Sequence, residues 1–237
     1  MNMGNLKIKV FADGAEIKSM VKLARHPYVK GFTTNPSLMR QAGVTDYKNF
    51  AEDVLAVVKG LPISLEVFAD DMYTMYEQAK KISELSTNVI VKIPVVNSQG
   101  ESMAEVISSL GNEGIPLNLT AIMTERQVEN LLGRVNSDSK LILSIFAGRI
   151  ADTGRNPSPI VESSVKMVRE FKNAEVLWAS TREVYNIIQA EEAGCHIITM
   201  PYSLIKKMDA FGKDLNEYSR ETAETFFQDA LNSGYKI

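Results

Sequence analysis

Short apolar runs and longer segments of helical period alternate along almost the whole chain. The runs are KIKVFA near residues 8–12, GFTTN at 31–35, ISLEVF at 63–68, NVIVKIPVV at 88–96, IPLNLTA at 115–121, KLILSIFA at 140–147, EVLWAS at 175–180 and HIITM at 196–200. Each has the length and residue types of a buried strand. Between them, Met72, Tyr76 and Ala79 recur at helical spacing, as do Met103, Val106, Ile107 and Leu110, and Val161, Val165 and Val168. The Met72 and Tyr76 stripe reads as core packing. A last long helix is predicted where Leu215, Tyr218, Phe226, Phe227, Ala230 and Leu231 fall. Eight strand–helix units in 237 residues predict an α/β fold, a (β/α)8 TIM barrel forming one catalytic domain over residues 1–237, with an additional C-terminal helix. A doubly wound open sheet is the rival, but eight strands covered on both faces usually need more chain.

Side chains alternate between the two faces of a strand, so each run can be sorted by parity. Leu65 and Val67 oppose Ser64 and Glu66; Val91 and Ile93 oppose Ile90 and Lys92; Leu117 and Leu119 oppose Asn118 and Thr120. Leu141, Leu143 and Ile145 oppose Ile142, Ser144 and Phe146. Asp13 shares parity with Phe11, and Asn35 with Thr33. In every run one set is apolar, as a helix-facing surface requires, and the polar group falls in the other set near the C-terminal end. Barrel enzymes hold their catalytic groups at that end. Asp13, Asn35, Glu66, Lys92, Asn118, Thr120 and Ser144 are therefore expected to converge on one pocket.

Composition narrows the classes without naming a function. The chain is 45% hydrophobic and 23% charged, ordinary for a globular domain. The formal net charge is −3 with scattered basic residues, which gives no electrostatic footprint for nucleic acid. The one cysteine, Cys195, permits no internal disulfide and points to a reducing compartment; it reads as an inert small side chain. No stretch approaches the roughly 18 apolar residues of a membrane span, and the N-terminus lacks a leader pattern. A cytoplasmic protein that engages neither membrane nor nucleic acid is expected. No His, Cys and Asp cluster has metal-ligand spacing, and no cofactor is expected. His26 and His196 read as structural.

The converging set suits carbonyl chemistry. Loss of hydration disfavours the charged form of an interior lysine, and a neutral amine can attack a carbonyl to form a Schiff base. Asp13 and Glu66 could move protons, and Thr120 could hold a water beside Glu66. Asn35, Asn118 and Ser144 could bind hydroxyl groups. Arg149 follows the sixth run and Arg182 the seventh; arginine forks match phosphate geometry. Ser180 ends the seventh run, with a helix expected close behind it as an anion site. A sugar phosphate fits this set. The competing readings are a structural ion pair of Lys92 with Glu66 or Asp13 and surface salt bridges for both arginines.

The segments GFTTNPSL, ISLEV, VIVKIP, LNLTAIMT, SIFAGRI, WAS and GCHIIT resemble, in order, those of the transaldolase family in its short form, which includes fructose-6-phosphate aldolases. The resemblance implies a class I mechanism with Lys92 as the imine-forming lysine and Asp13 as the acid/base for carbon–carbon cleavage. It implies Glu66, with a water held by Thr120, as the acid/base for imine formation. Thr33, Asn35, Asn118, Ser144 and Phe146 would contact substrate, and Arg149, Ser180 and Arg182 the phosphate. Aldolase members of the family resemble this chain but carry glutamine at the position of Glu66 and tyrosine at that of Phe146. The resemblance thus implies a transaldolase, with an aldolase releasing free dihydroxyacetone, or a silent sugar-phosphate-binding barrel, as alternatives. Arg155 could replace or supplement Arg149, and Trp178 could narrow the pocket. A homo-oligomer, a ring of five or a pair of such rings, is implied as well, with the C-terminal helix reaching a neighbour or packing on its own barrel.

Overall fold

The computed structural model describes residues 6–236. Its strands are β1 (Lys9–Asp13), β2 (Val29–Thr33), β3 (Ile63–Glu66), β4 (Val89–Pro94), β5 (Leu117–Ile122), β6 (Leu141–Ile145), β7 (Ala174–Trp178) and β8 (Ile197–Pro201). The helices are α1 (Ile17–Leu23), α2 (Pro36–Gln41), α3 (Tyr47–Val58), α4 (Met72–Ser83), α5 (Ala104–Asn112) and α6 (Glu125–Leu132). They continue with α7 (Ala147–Asp152), α8 (Ser158–Met167), α9 (Asn186–Glu192), α10 (Tyr202–Lys207) and α11 (Leu215–Ser233). Each strand pairs in parallel with the next, and β8 closes onto β1. The fold is the α/β TIM barrel expected, with the extra C-terminal helix.

Strand parity divides the core in two. The outward residues of every strand join the helices in one large cluster that includes Val10, Phe32, Leu65, Val91, Leu119, Leu143, Val176 and Ile198. The inward residues Phe11, Ile142, Leu177 and Ile197, with Ile90, form a second cluster that fills the lower barrel. Gly31 is required there: a Cβ at that position would come within 2.6 Å of the Phe11 ring. The upper barrel is left to polar side chains.

Helix starts are capped by side chains of the preceding loops. Asp46 caps α3, Asp71 caps α4, and Thr124 with Gln127 forms a capping box on α6. These caps fix where each helix turns away from the barrel mouth, and so fix the rim around it.

Two predicted stripes differ in detail. The buried face of α4 is Met75, Ala79 and Ile82; Tyr76 packs half-buried against the core with its hydroxyl donating to Glu113, and Met72 is 37% exposed. The chain enters α4 at Met72 from the Asp71 cap, so the first turn overhangs the rim and the core face starts one turn later. The second difference is α11. None of its residues is buried, and Phe226, Phe227 and Leu231 stay about 60–70% exposed, so it does not pack on its own barrel. Among the described residues, no helix is long and apolar enough to cross a membrane.

Candidate active site

The mouth of the barrel holds a cavity of about 230 Å³ lined by Asp13, Thr33, Asn35, Lys92, Thr120, Ser144, Phe146, Arg149, Ser180 and Arg182, together with Ala179, Thr181, Thr199 and Pro201. Ten of the twelve residues singled out in the sequence line it; Glu66 and Asn118 stand just behind the wall.

Lys92 is the deepest charge, 6% exposed at the middle of β4. Its Nζ donates to the Thr34 carbonyl at 2.8 Å and lies 2.9 Å from Glu66 Oε2. The register of β3 against β4 sets Glu66 opposite Lys92. The ammonium is aimed at the Thr34 carbonyl, and Glu66 Oε2 receives no aligned hydrogen bond, so the two charges touch without being locked together. Tyr47, at the start of α3, donates to the Glu66 carbonyl at 3.3 Å and packs edge-on against Phe68. Burial, with the Glu66 charge, pushes the Tyr47 phenol well above its usual range.

Asp13 ends β1 on the opposite wall. Thr33 Oγ1 donates to its Oδ1 at 2.8 Å. Burial raises the Asp13 pKa above the ordinary 3.8, although the Lys92 charge and the Thr33 hydrogen bond both act to lower it. Thr33, expected to touch substrate, is thus engaged with Asp13.

The neutral groups fall into two kinds. Asn118 Nδ2 donates to Ser64 Oγ at 2.9 Å, and Ser144 Oγ donates to Asn118 Oδ1 at 2.6 Å, a buried line across β3, β5 and β6. Thr120 Oγ1, in contrast, is buried with no hydrogen-bond partner among the described residues. An unpartnered hydroxyl at a cavity wall is costly unless something in the cavity meets it. Asn35 is shared: its Oδ1 accepts the Leu38 N–H at 3.0 Å as the cap of α2, which leaves the amide NH2 for the cavity.

Two residues near the mouth hold left-handed backbone, Ala121 at φ 63° and Ser180 at φ 64°. For residues with a Cβ this costs about 1–2 kcal/mol each. Ala121 lies where the register of β5 on β6 shifts, directly after Thr120. Ser180 turns the chain out of β7, and Gly148 packs on it so closely that a Cβ would fall 1.7 Å from the Ser180 carbonyl oxygen. That approach brings the start of α7, with Arg149, against the end of β7.

The two arginines differ. Arg182 is forked onto Asp152, with Nε donating to Oδ1 at 3.1 Å, and also donates to the Ser180 carbonyl at 3.2 Å. It holds the Asp152 carboxyl below the usual carboxylate range. Arg149 is exposed, makes no ion pair among the described residues, and stacks its guanidinium 5.4 Å from the Phe146 ring centre.

Several expectations need correction. Arg155 does not line the cavity; its guanidinium turns back to Thr153 Oγ1 at 2.9 Å. Trp178 does not narrow the pocket: it has the outward parity of β7, packs in the helix-facing core and is 1% exposed. No helix begins directly behind Ser180, since α9 starts only at Asn186, after a bend whose N–H groups at Arg182 and Glu183 donate to Asn186 Oδ1. Thr199, Thr181, Ala179 and Pro201 were missed, although the same parity test on EVLWAS and HIITM puts Ala179 and Thr199 on the inward face. Among the described residues no group of His, Cys, Asp and Glu could hold a metal ion. Cys195 is buried between the Val176 and Ile197 carbonyls, and burial pushes its thiol up to about 12. His196 accepts the Val176 N–H on Nδ1 at the base of the barrel.

Similarity to known proteins agrees with this geometry. A family model described as Transaldolase/Fructose-6-phosphate aldolase matches residues 10–236. A "Probable transaldolase" of Dehalococcoides mccartyi is 32% identical over 202 residues, 85% of this chain and 90% of that protein. One from Clostridium botulinum (strain Langeland) is 34% identical over 203 residues, 85% of this chain and 88% of its own. A "Probable transaldolase" of Nitrosopumilus maritimus is 29% identical over 204 residues, 85% of this chain and 87% of that protein. With a match that runs through all eight strands carrying the mouth residues, the chain belongs to the transaldolase/fructose-6-phosphate aldolase family.

Proposed function

We propose that this enzyme is a transaldolase that moves a dihydroxyacetone unit from a ketose phosphate, fructose 6-phosphate or sedoheptulose 7-phosphate, to an aldose phosphate through a Schiff base on Lys92. The observation that carries the reading is a buried lysine in contact with a carboxylate, facing a cavity whose other wall holds a second carboxylate. A structural ion pair would explain Lys92 and Glu66. It would not explain, on the same cavity, a Thr120 hydroxyl and an Arg149 guanidinium that have no hydrogen-bond or ion-pair partner among the described residues, or an Asp13 whose ionised form is disfavoured by burial.

In this mechanism Lys92 passes its proton to Glu66, 2.9 Å away, and the neutral amine attacks the ketose carbonyl. A water held by Thr120 carries protons between Glu66 and the carbinolamine until water leaves and the imine forms. Asp13 removes the proton of the C4 hydroxyl. The C3–C4 bond breaks, its electrons pass into the protonated imine, and the aldose phosphate departs. The carbanion left on Lys92 adds to the acceptor aldehyde while Asp13 returns the proton, and hydrolysis reverses the first steps. Asn35 and Ser144, the latter held by Asn118, bind the hydroxyl groups. Arg149, Arg182 and the Ser180 turn receive the phosphate.

The aldolase alternative requires the carbanion to be protonated in place. Phe146 carries no proton to give, and aldolase members of the family have tyrosine there, so the transfer reading is preferred. The enzyme is expected to act in the cytoplasm, and the unpacked apolar residues of α11 support a homo-oligomer in which that helix meets a second copy. The test is turnover of fructose 6-phosphate with and without erythrose 4-phosphate. Glyceraldehyde 3-phosphate is expected only with the acceptor; equal release without it would make the enzyme an aldolase.

A further inference from the structure

Thr199 has no part in the mechanism above, yet it is one link from Asp13. It is 5% exposed at the middle of β8 and lines the cavity. Thr199 Oγ1 lies 2.6 Å from Thr33 Oγ1, which in turn lies 2.8 Å from Asp13 Oδ1. The register explains the meeting: β8 and β2 flank β1 on its two sides, with Thr33 directly opposite Asp13. The two threonines therefore come from the two strands beside the one that carries Asp13.

Counting protons sets the direction of this chain. An ionised carboxylate only accepts, and a hydroxyl has one proton. Thr33 gives its proton to Asp13, so the 2.6 Å contact must be filled by the proton of Thr199. Thr199 then donates to Thr33 and Thr33 to the carboxylate, and the outer hydrogen bond polarises the inner one. Thr199 is itself anchored, because its main-chain carbonyl accepts the Thr181 hydroxyl at 2.6 Å.

We propose that Thr199 is a positioning residue for Asp13: through Thr33 it fixes the orientation of the carboxylate and favours its ionised form at the moment it takes a proton from substrate. The proposal rests on Asp13 being the acid/base of carbon–carbon cleavage. It makes no demand on imine formation, which belongs to Lys92, Glu66 and Thr120.

The test is Thr199→Val, which keeps the shape and removes the hydroxyl, beside Thr199→Ser, which keeps the hydroxyl. Thr199→Val should lower kcat about tenfold with KM changed less than about twofold, and Thr199→Ser should retain most of the wild-type kcat. The acid limb of the kcat profile should move to higher pH in Thr199→Val. The other charges on the cavity, Lys92 from β4 with Glu66 from β3 behind it, and Arg149 and Arg182 at the rim, are the same in both proteins, so the movement reports the lost hydroxyl. Borohydride trapping of the ketose on Lys92 should be as efficient as in wild type, which also shows the variant is folded. Wild-type kcat and pH profile in Thr199→Val, or a Thr199→Ser variant as impaired as Thr199→Val, would overturn the proposal. Asp13→Asn separates its failure from that of the parent reading: full turnover there removes Asp13 from the mechanism and Thr199 with it, whereas an inactive Asp13→Asn beside a fully active Thr199→Val overturns the role of Thr199 alone.

Discussion

The lower and upper halves of the barrel interior are built from the same strands, two residues apart, and have opposite chemistry. Phe11 lies below Asp13, Ile90 below Lys92, Ile142 below Ser144 and Ile197 below Thr199. The lower set is an apolar plug closed around the Gly31 gap. The upper set carries an ion contact, a hydroxyl with no partner among the described residues, an aspartate whose ionised form is disfavoured by burial and two left-handed residues at its edge. One half lowers the free energy of the fold, and the other raises it in order to hold reactive groups.

This division predicts that substitutions above and below separate activity from stability. The largest effect is expected at Lys92. Lys92→Ala should lower turnover by more than about 10⁴-fold, because among the described residues no other lysine lines the cavity to form the proposed imine. It also leaves Glu66 without its partner, so Lys92→Ala with Glu66→Gln is the better fold control: equally inactive, with circular dichroism and melting close to wild type. Wild-type activity in either would sink the Schiff-base mechanism.

Leu177→Ala acts in the other half. Leu177 is fully buried in the plug, and its truncation should cost about 2–5 kcal/mol in denaturant unfolding. At a temperature where the variant is still folded, kcat should stay within about threefold of wild type. A large loss of kcat there would mean that the two halves are not separable.

Arg182→Ala should raise KM for phosphorylated substrates about tenfold or more, with a smaller change in kcat. The variant not only loses a guanidinium but also frees the Asp152 carboxylate beside the phosphate position. An unchanged KM would move the phosphate site elsewhere.

The smallest effect concerns Asp13. Its folded pKa is raised, so the fold favours the protonated form; that stabilisation is present below the ordinary 3.8 and is lost as pH rises through the folded value. At pH 7 to 8 the ionised group therefore costs stability. Asp13→Asn should melt roughly 2 °C higher than wild type there. The gap should close as the pH falls through the raised value, and a gap that widens on acidification would contradict the sign.

The fold was legible because strand parity is a hard constraint. Once eight apolar runs were recognised, alternation alone put Lys92, Glu66, Asn118, Thr120 and Ser144 on one surface. Other features depend on neighbours that alternation does not encode. The α4 stripe predicted from Met72 is only partly buried: Met72 opens the helix directly after the Asp71 cap and stays exposed, and the buried face is Met75, Ala79 and Ile82. The helix predicted directly behind Ser180 starts only at Asn186, after the left-handed turn at Ser180 and the bend held by the Asn186 side chain. Trp178 drew notice as a large side chain next to the site, although its parity already placed it outside. Thr33 lines the cavity as the family resemblance implies; its hydrogen bond to Asp13 depends on β1 and β2 lying in register, which alternation does not encode.

The most direct test is borohydride reduction with fructose 6-phosphate, followed by peptide mass mapping. The account predicts a single reduced adduct on the peptide that contains Lys92, absent from Lys92→Ala. An adduct on another lysine, or none under conditions of full turnover, would contradict it.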